Sequence, residues 1–137
     1  MRLHFDRLPV AADRLTGRHP AGGGTPPEVL RMHAALALGV TARCCRLLGP
    51  SSLDDELAAL RAELDRLGPG IAAARAAAGE LAVRAACALM TARGSRSLLA
   101  ADHAQRLARE AIFTLIYALR PESRAALLAR LGAQERC

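Results

Sequence analysis

Apolar residues recur at intervals of three and four along most of the chain, which is the spacing that places them on one face of an α-helix. The clearest stripe consists of five leucines: Leu53, Leu57, Leu60, Leu64 and Leu67. Similar stripes cover 27–48 and 70–93. Each ends at a helix-stopping pair, namely Gly49-Pro50, Gly68-Pro69 and Gly94-Ser95. The pattern therefore predicts three helices, over 27–48, 51–67 and 70–93.

The segment 102–120 predicts a fourth helix that is apolar on two faces, and we expect the rest of the chain to be organised around residues 102–131, which include this helix. Asp102 and Gln105 have the spacing of a capping box, and Pro121 disfavours helix at the residue before it. One apolar face is formed by Ala104, Leu107, Ala108, Ala111, Leu115 and Ala118, and the second by Ile112, Ile116 and Leu119. A helix with two apolar faces needs two packing partners, so the second face predicts contact with a further chain.

The remaining segments complete the expected architecture. Residues 122–131 predict a short fifth helix, which would cap the end of the bundle or form an interface. Residues 1–26 predict an extended arm and linker, because Leu3 and Phe5 alternate with polar residues in a strand-like pattern and 18–27 is rich in Gly and Pro. We therefore predict an all-α protein: an antiparallel four-helix bundle over 27–137, a short fifth helix and an N-terminal extended arm.

Composition supports a helical protein in the cytoplasm. Aromatic residues make up only 2% of the chain, and its apolar content is mostly Ala and Leu, which favour helices. The longest apolar run, 111–119, is far shorter than the roughly 20 residues that span a bilayer, and no signal peptide is visible. The four cysteines, Cys44, Cys45, Cys87 and Cys137, lack metal-ligand spacing, so we expect buried thiols in a reducing compartment.

The net charge of +6 allows an anionic partner, but its distribution favours a solvated surface. Arginines are spread along the chain, and several have a carboxylate four residues away, as in Glu80–Arg84, Arg61–Asp65 and Arg106–Glu110. Nucleic-acid binding is therefore not the expected function.

The residues alone reveal no self-contained active site. His33 stands alone on the first helix, no Glu-x-x-His pair is present, and the serines have no histidine at a suggestive spacing. The glycines at 22–24 lack the phosphate-binding pattern, and Tyr117 is expected to be a packed ring. We predict no catalytic and no metal-binding residues.

Three segments together resemble the C-terminal part of the acyl-CoA dehydrogenase superfamily, in its divergent actinobacterial branch. Residues 4–17, H-F-D-R-L-P-V-A-A-D-R-L-T-G, resemble the segment that leaves the family's β-domain, F-D-x-V-x-V-P-x-x-x-L-L-G. Residues 31–42, R-x-x-A-x-x-x-L-G-V-T-A, resemble its first C-terminal helix, and 106–111, R-L-A-R-E-A, resemble the R-L-x-R-D-A opening of its late helix.

This resemblance implies a flavoprotein context. Members of the family bind FAD between the β-domain of one subunit and the helical domain of another, and their helical domains make the dimer and tetramer contacts. The resemblance places Arg46, Gly94, Ser95 and Arg109 as cofactor-binding residues, near the FAD phosphates or adenine. Two motifs depart from the family pattern: R-x-x-F-G becomes 46–49, R-L-L-G, and Q-x-x-G-G becomes 91–95, T-A-R-G-S.

The departures also affect catalysis. The family's usual catalytic Glu aligns with Ala118, and residues 30–48 contain no acid to replace it. The N-terminal helical domain and most of the β-domain have no counterpart in these 137 residues.

Three hypotheses follow. The first is a stand-alone helical domain of this type, without independent catalysis, that self-associates or pairs with a fuller flavoprotein. The second is half of a composite FAD-dependent oxidoreductase, of dehydrogenase or flavin monooxygenase type. The third is an Arg-rich nucleic-acid-binding or regulatory module.

Overall fold

The computed structural model of the protein describes residues 4–14 and 24–133, and these residues form a helical bundle. Its five α-helices are α1 (Pro27–Leu48), α2 (Ser52–Asp65), α3 (Ile71–Arg93), α4 (His103–Ile116) and α5 (Pro121–Arg130). Short 3-10 helices occupy Ala12–Arg14 and Gly94–Leu98. No residue of the two described ranges is in a strand, so the all-α prediction is confirmed.

The N-terminal arm is exposed along all of its described length, residues 4–14. Its backbone is irregular up to Ala11 and closes into one 3-10 turn. The strand-like alternation that includes Phe5 therefore produces no strand there, while Leu3 and most of the predicted linker lie outside the described residues. The bundle begins at Pro27, where Pro is compatible with the first turn of a helix.

Long-range ion pairs establish the directions of the helices. Arg31 on α1 bonds to Asp65 on α2 at 2.7 Å, so the start of α1 lies beside the end of α2. Arg84 on α3 pairs with Glu56 near the start of α2. Arg93, at the end of α3, lies 3.8 Å from Asp102, which caps α4. Consecutive helices therefore run antiparallel, and α1 and α3 run in the same direction.

Helix α3 is the centre of the bundle, because it contacts each of the other four helices. The prediction that the chain is organised around residues 102–131 was wrong. The reason is the small side chains of α3, whose buried residues include seven alanines: Ala74, Ala76, Ala77, Ala78, Ala82, Ala85 and Ala86. Small residues let neighbouring helices approach from several sides, and α1 is the most extensive partner of α3. Helix α5 packs along α3 and is tied to it by Arg130–Glu80, at 2.7 Å.

Helix α4 ends at Ile116, four residues before the predicted stop at Arg120. Tyr117 is extended, and Ala118 has a φ of +48°, which breaks the helical turn. The side chain responsible is Arg75 of α3, which is 1% exposed. Its Nη2 donates hydrogen bonds to the carbonyl oxygens of Thr114 at 2.7 Å and Tyr117 at 3.1 Å. A guanidinium suits the negative end of a helix dipole, so Arg75 caps α4 from another helix.

Gly79 makes this arrangement possible. A Cβ at this position would lie 3.3 Å from Nη1 of Arg75 and 3.4 Å from Cδ2 of Leu115. The absence of a side chain at Gly79 therefore lets α4 pack closely against α3 at this point.

The helix starts agree with the sequence in part. Ser51 and Asp54 form a capping box on α2, with the Ser51 amide donating to Asp54 Oδ2 at 2.9 Å. Asp102 caps α4 by accepting from the Ala104 amide at 2.8 Å. The capping box predicted with Gln105 does not form, because the Oε1 of Gln105 is buried without a hydrogen-bond partner. Within the described ranges, none of the helices combines the length and apolar character needed to cross a bilayer.

Candidate functional site

The second apolar face of α4 is exposed to solvent. Ile112, Phe113 and Ile116 are 58%, 51% and 68% exposed, and we call these three residues the α4 face. On the opposite side of the helix, Ala104, Leu107 and Ala111 are fully buried in the bundle. The prediction of two apolar faces is therefore confirmed for the residues within α4, with one side buried and the other uncovered, whereas Ala118 and Leu119 lie beyond the end of the helix. Three adjacent large apolar side chains at this exposure are typical of a surface that binds another molecule.

An open groove of about 390 Å³ adjoins this face, between α1 and α4. We call it the α1/α4 groove. It is lined by Ala35, Leu36, Gly39, Val40, Arg43, Arg46, Arg106, Leu107 and Glu110. A smaller recess of about 270 Å³, lined by Arg106, Arg109, Glu110 and Phe113, connects the groove residues to the α4 face.

The groove and recess carry an excess of positive charge. Arg106 pairs with Glu110 at 2.8 Å, one helical turn away. Arg43, Arg46 and Arg109 make no ion pair with any residue in the described part of the chain. The surface therefore presents three unneutralised guanidinium groups beside apolar side chains, which is a combination suited to an amphipathic or anionic partner.

The four predicted cofactor residues do not all share one surface. Arg46 lines the α1/α4 groove and Arg109 lines the adjoining recess, so the structure places these two on neighbouring surfaces. Gly94 and Ser95 follow α3 and line neither cavity, although both lie at the end of the bundle where α1 ends and α4 begins. Gly94 has a φ of +59°, which accounts for glycine at the end of α3 without any ligand.

Two residues considered for chemistry lie near the end of α4. His33 is buried, and its ring packs edge-on against Tyr117 with 5.6 Å between centroids. Tyr117 also lies beside Phe113 and is 40% exposed, so it belongs to the border of the α4 face. Ala118 lies in the turn after α4. Among the residues that the structure describes, no group of His, Cys, Asp or Glu could hold a metal ion.

The cysteines are divided between core and surface. Cys44 and Cys45 are buried as expected, whereas Cys87 is exposed and contradicts the prediction; Cys137 lies outside the described residues. Burial raises the pKa of Cys44 to about 11, with smaller contributions from Cys45 and Glu110, which lines the groove. Burial also raises the pKa of Cys45, near Asp54 of α2. Both thiols stay protonated at neutral pH and are therefore poor nucleophiles.

Sequence reasoning missed two features of this region. It did not identify Arg43 and Arg106 as neighbours of Arg46, although the three lie on helices predicted to be antiparallel. It also missed the buried position of Arg75, because a lone arginine in an alanine-rich helix is normally interpreted as a solvent-exposed side chain. A usable signal is that Arg75 lies four residues before Gly79, on the same side of α3.

In comparisons with known proteins, no family model, no curated protein and no solved structure matches the chain. The function is therefore argued from the α4 face and the adjoining α1/α4 groove.

Proposed function

We propose that the protein is a helical association domain that binds a second copy of itself through the α4 face and has no catalytic activity of its own. The observation that carries this proposal is the exposure of Ile112, Phe113 and Ile116 on a helix whose other side is buried. Exposing such residues to water is unfavourable, and covering a large apolar side chain contributes roughly 1.5–3 kcal/mol.

Two further points support self-association. Met32 and Leu36 of α1 are 60% and 47% exposed, so uncovered apolar surface is found on both helices that border the groove. The resemblance to acyl-CoA dehydrogenases, which we retain as a proposal, implies a domain type that makes dimer and tetramer contacts. A two-fold dimer would use the same face twice, as is usual for homodimers.

The test is the mass of the protein in solution over a series of concentrations. We expect the wild type to exceed its monomer mass of 14.4 kDa. We expect Ile112→Glu to raise the dissociation constant by at least about 100-fold, because a carboxylate would be buried against apolar side chains.

The matched control is Leu99→Glu, which places the same charge at an equally exposed apolar residue that precedes α4 and lies outside the α4 face. This variant is expected to associate as the wild type does. A wild type that stays monomeric at every concentration, or an Ile112→Glu variant that stays associated, would contradict the proposal.

The second candidate function is half of a composite flavin site, in a dehydrogenase or monooxygenase with a fuller flavoprotein. It is favoured by the guanidinium groups of Arg46 and Arg109, which form no ion pair with any described residue and are of the kind that binds phosphate oxygens. Gly94 and Ser95 line neither of these surfaces, so the fit is limited to the phosphate end of the cofactor. A bound FAD would supply hydride or oxygen chemistry, and this chain's arginines would only hold and orient it.

Flavin binding is tested by titrating FAD and following its fluorescence. If the site exists, quenching saturates, and Arg46→Ala with Arg109→Ala weakens binding at least about tenfold, because two charge-assisted hydrogen bonds are lost. Arg61→Ala with Arg96→Ala removes two other exposed arginines and should change nothing. Equal loss in both double variants would indicate nonspecific attraction to a basic protein.

A further inference from the structure

We propose that the N-terminal arm, residues 4–14, of one chain lies in the α1/α4 groove of a second copy, and that the second chain's arm makes the same contact in return. This inference rests on the proposed self-association and identifies the segment that adds to it. It assigns an occupant to the groove and a role to the arm.

The arm has apolar side chains with nothing to cover them. Phe5, Leu8 and Val10 are 70%, 59% and 60% exposed, although the bundle beside them has a groove with apolar walls. Asp6 and Asp13 form no ion pair with any described residue. Contact with a surface that supplies apolar side chains and positive charges would therefore stabilise the arm.

The groove offers those counterparts. Leu36, Val40 and Leu107 form its apolar wall, and Arg43 and Arg46 lie at one end without a carboxylate partner among the described residues. The arm also brings no net charge to the groove. Its two aspartates balance Arg7 and Arg14, so residues 4–14 are neutral in a chain of net charge +6. Asp6 and Asp13 can therefore pair with the two groove arginines without adding to the positive charge there.

The lengths of the two elements agree. From Ala35 to Arg46, the groove follows eleven helical steps of α1, which is about 17 Å. From Phe5 to Val10, an extended chain of five steps also covers about 17 Å. The three apolar residues of the arm would span the groove once the bend at Asp6 and Arg7, where Arg7 has a φ of +46°, straightens on binding.

Exchange between copies is favoured over docking within one chain. The arm is exposed along its described length and leaves its own groove open. In a two-fold dimer joined at the α4 face, the partner's groove opens next to that contact, because the groove adjoins the α4 face. Because each copy contributes one arm and one groove, the same arm–groove contact forms twice in the dimer.

The experiment compares three full-length variants by mass over a concentration series. Phe5→Ser with Leu8→Ser removes the arm's apolar contacts, and Leu36→Glu places a charge in the groove. Each is expected to raise the dissociation constant by about 100-fold, because apolar contacts are lost at both arms of the dimer. Leu98→Ser with Leu99→Ser, two equally exposed leucines outside the arm and groove, is the control and should associate as the wild type does.

A mixture of the arm variant and the groove variant is the decisive measurement. A heterodimer of the two retains one intact arm in one intact groove, so the mixture is expected to associate at least about tenfold more tightly than either variant alone. Absence of this complementation, with each variant weakened, would overturn exchange and indicate docking within one chain.

The outcomes separate this inference from the proposed function. If Ile112→Glu dissociates the protein while the arm and groove variants stay associated, self-association through the α4 face stands and arm exchange is wrong. If the wild type is monomeric throughout, both fail.

Discussion

Replacing Arg75 by alanine is expected to lower the free energy of unfolding by about 3 kcal/mol. The substitution removes two charge-assisted hydrogen bonds and leaves the buried carbonyl of Thr114 without a donor, a loss of roughly 1–3 kcal/mol for each group. It also leaves a cavity in the centre of the bundle. Burial lowers the pKa of Arg75, because removing the charged guanidinium from water carries a free-energy cost. Its two bonds at the helix end must more than offset that cost.

Arg84→Ala is the matched control, since Arg84 lies on the same helix and its ion pairs to Glu56 and Glu80 are at the surface. Its loss should cost less than about 1 kcal/mol. Arg75→Met keeps much of the volume and isolates the hydrogen bonds. Chemical denaturation gives the stabilities, and amide exchange over residues 114–118 shows whether the end of α4 loosens. If Arg75→Ala and Arg84→Ala cost the same, Arg75 does not cap α4.

Replacing Leu107 by alanine is expected to destabilise the monomer by about 3 kcal/mol, within the range found for buried leucines in other proteins. Leu107 is 2% exposed and belongs to the main hydrophobic core. Ile112→Ala, on the same helix, should change the stability of the monomer by less than about 0.5 kcal/mol, because its side chain is already in water.

Both variants should be measured at concentrations where the protein is monomeric, because binding to a second copy would add to the apparent stability. Ile112→Ala should in addition weaken self-association. Leu107→Ala should leave the self-association of the folded protein unchanged. Equal destabilisation of the monomer by both substitutions would mean that the α4 face is covered within one chain, and the association proposal would lose its basis.

Most of the secondary structure could be predicted from the sequence, because its signals are local. The leucine stripe of α2, the caps at Ser51 and Asp102 and the glycines after α1 and α3 all act within one or two turns. The end of α4 could not be predicted, because it depends on Arg75, which lies 39 residues before Thr114 in the chain. Nothing in residues 113–118 signals a helix end, so the pattern continued to Pro121.

The candidate site was predictable only in outline. The periodicity of α4 identified Ile112 and Ile116 as an uncovered face, but it said nothing about which residues of α1 lie beside it. Ion pairs show the same limit. Arg106–Glu110 forms as its spacing predicts, whereas Asp65 pairs with Arg31 across helices and not with Arg61. In a packed bundle, a charged residue can form its ion pair with a residue on another helix instead of the residue four positions away in the sequence.

The central position of α3 has a consequence for how the molecule opens. In a bundle whose helices only meet their neighbours, one edge can fray while the opposite edge survives. Here α1, α2, α4 and α5 all pack on α3, and the contacts that α1 makes with α2 and α4 are less extensive than its contact with α3, so most of the shared core is lost once α3 is displaced. Loss of structure in α3 should therefore coincide with global unfolding, and its amide protons should be the slowest in the protein to exchange with solvent.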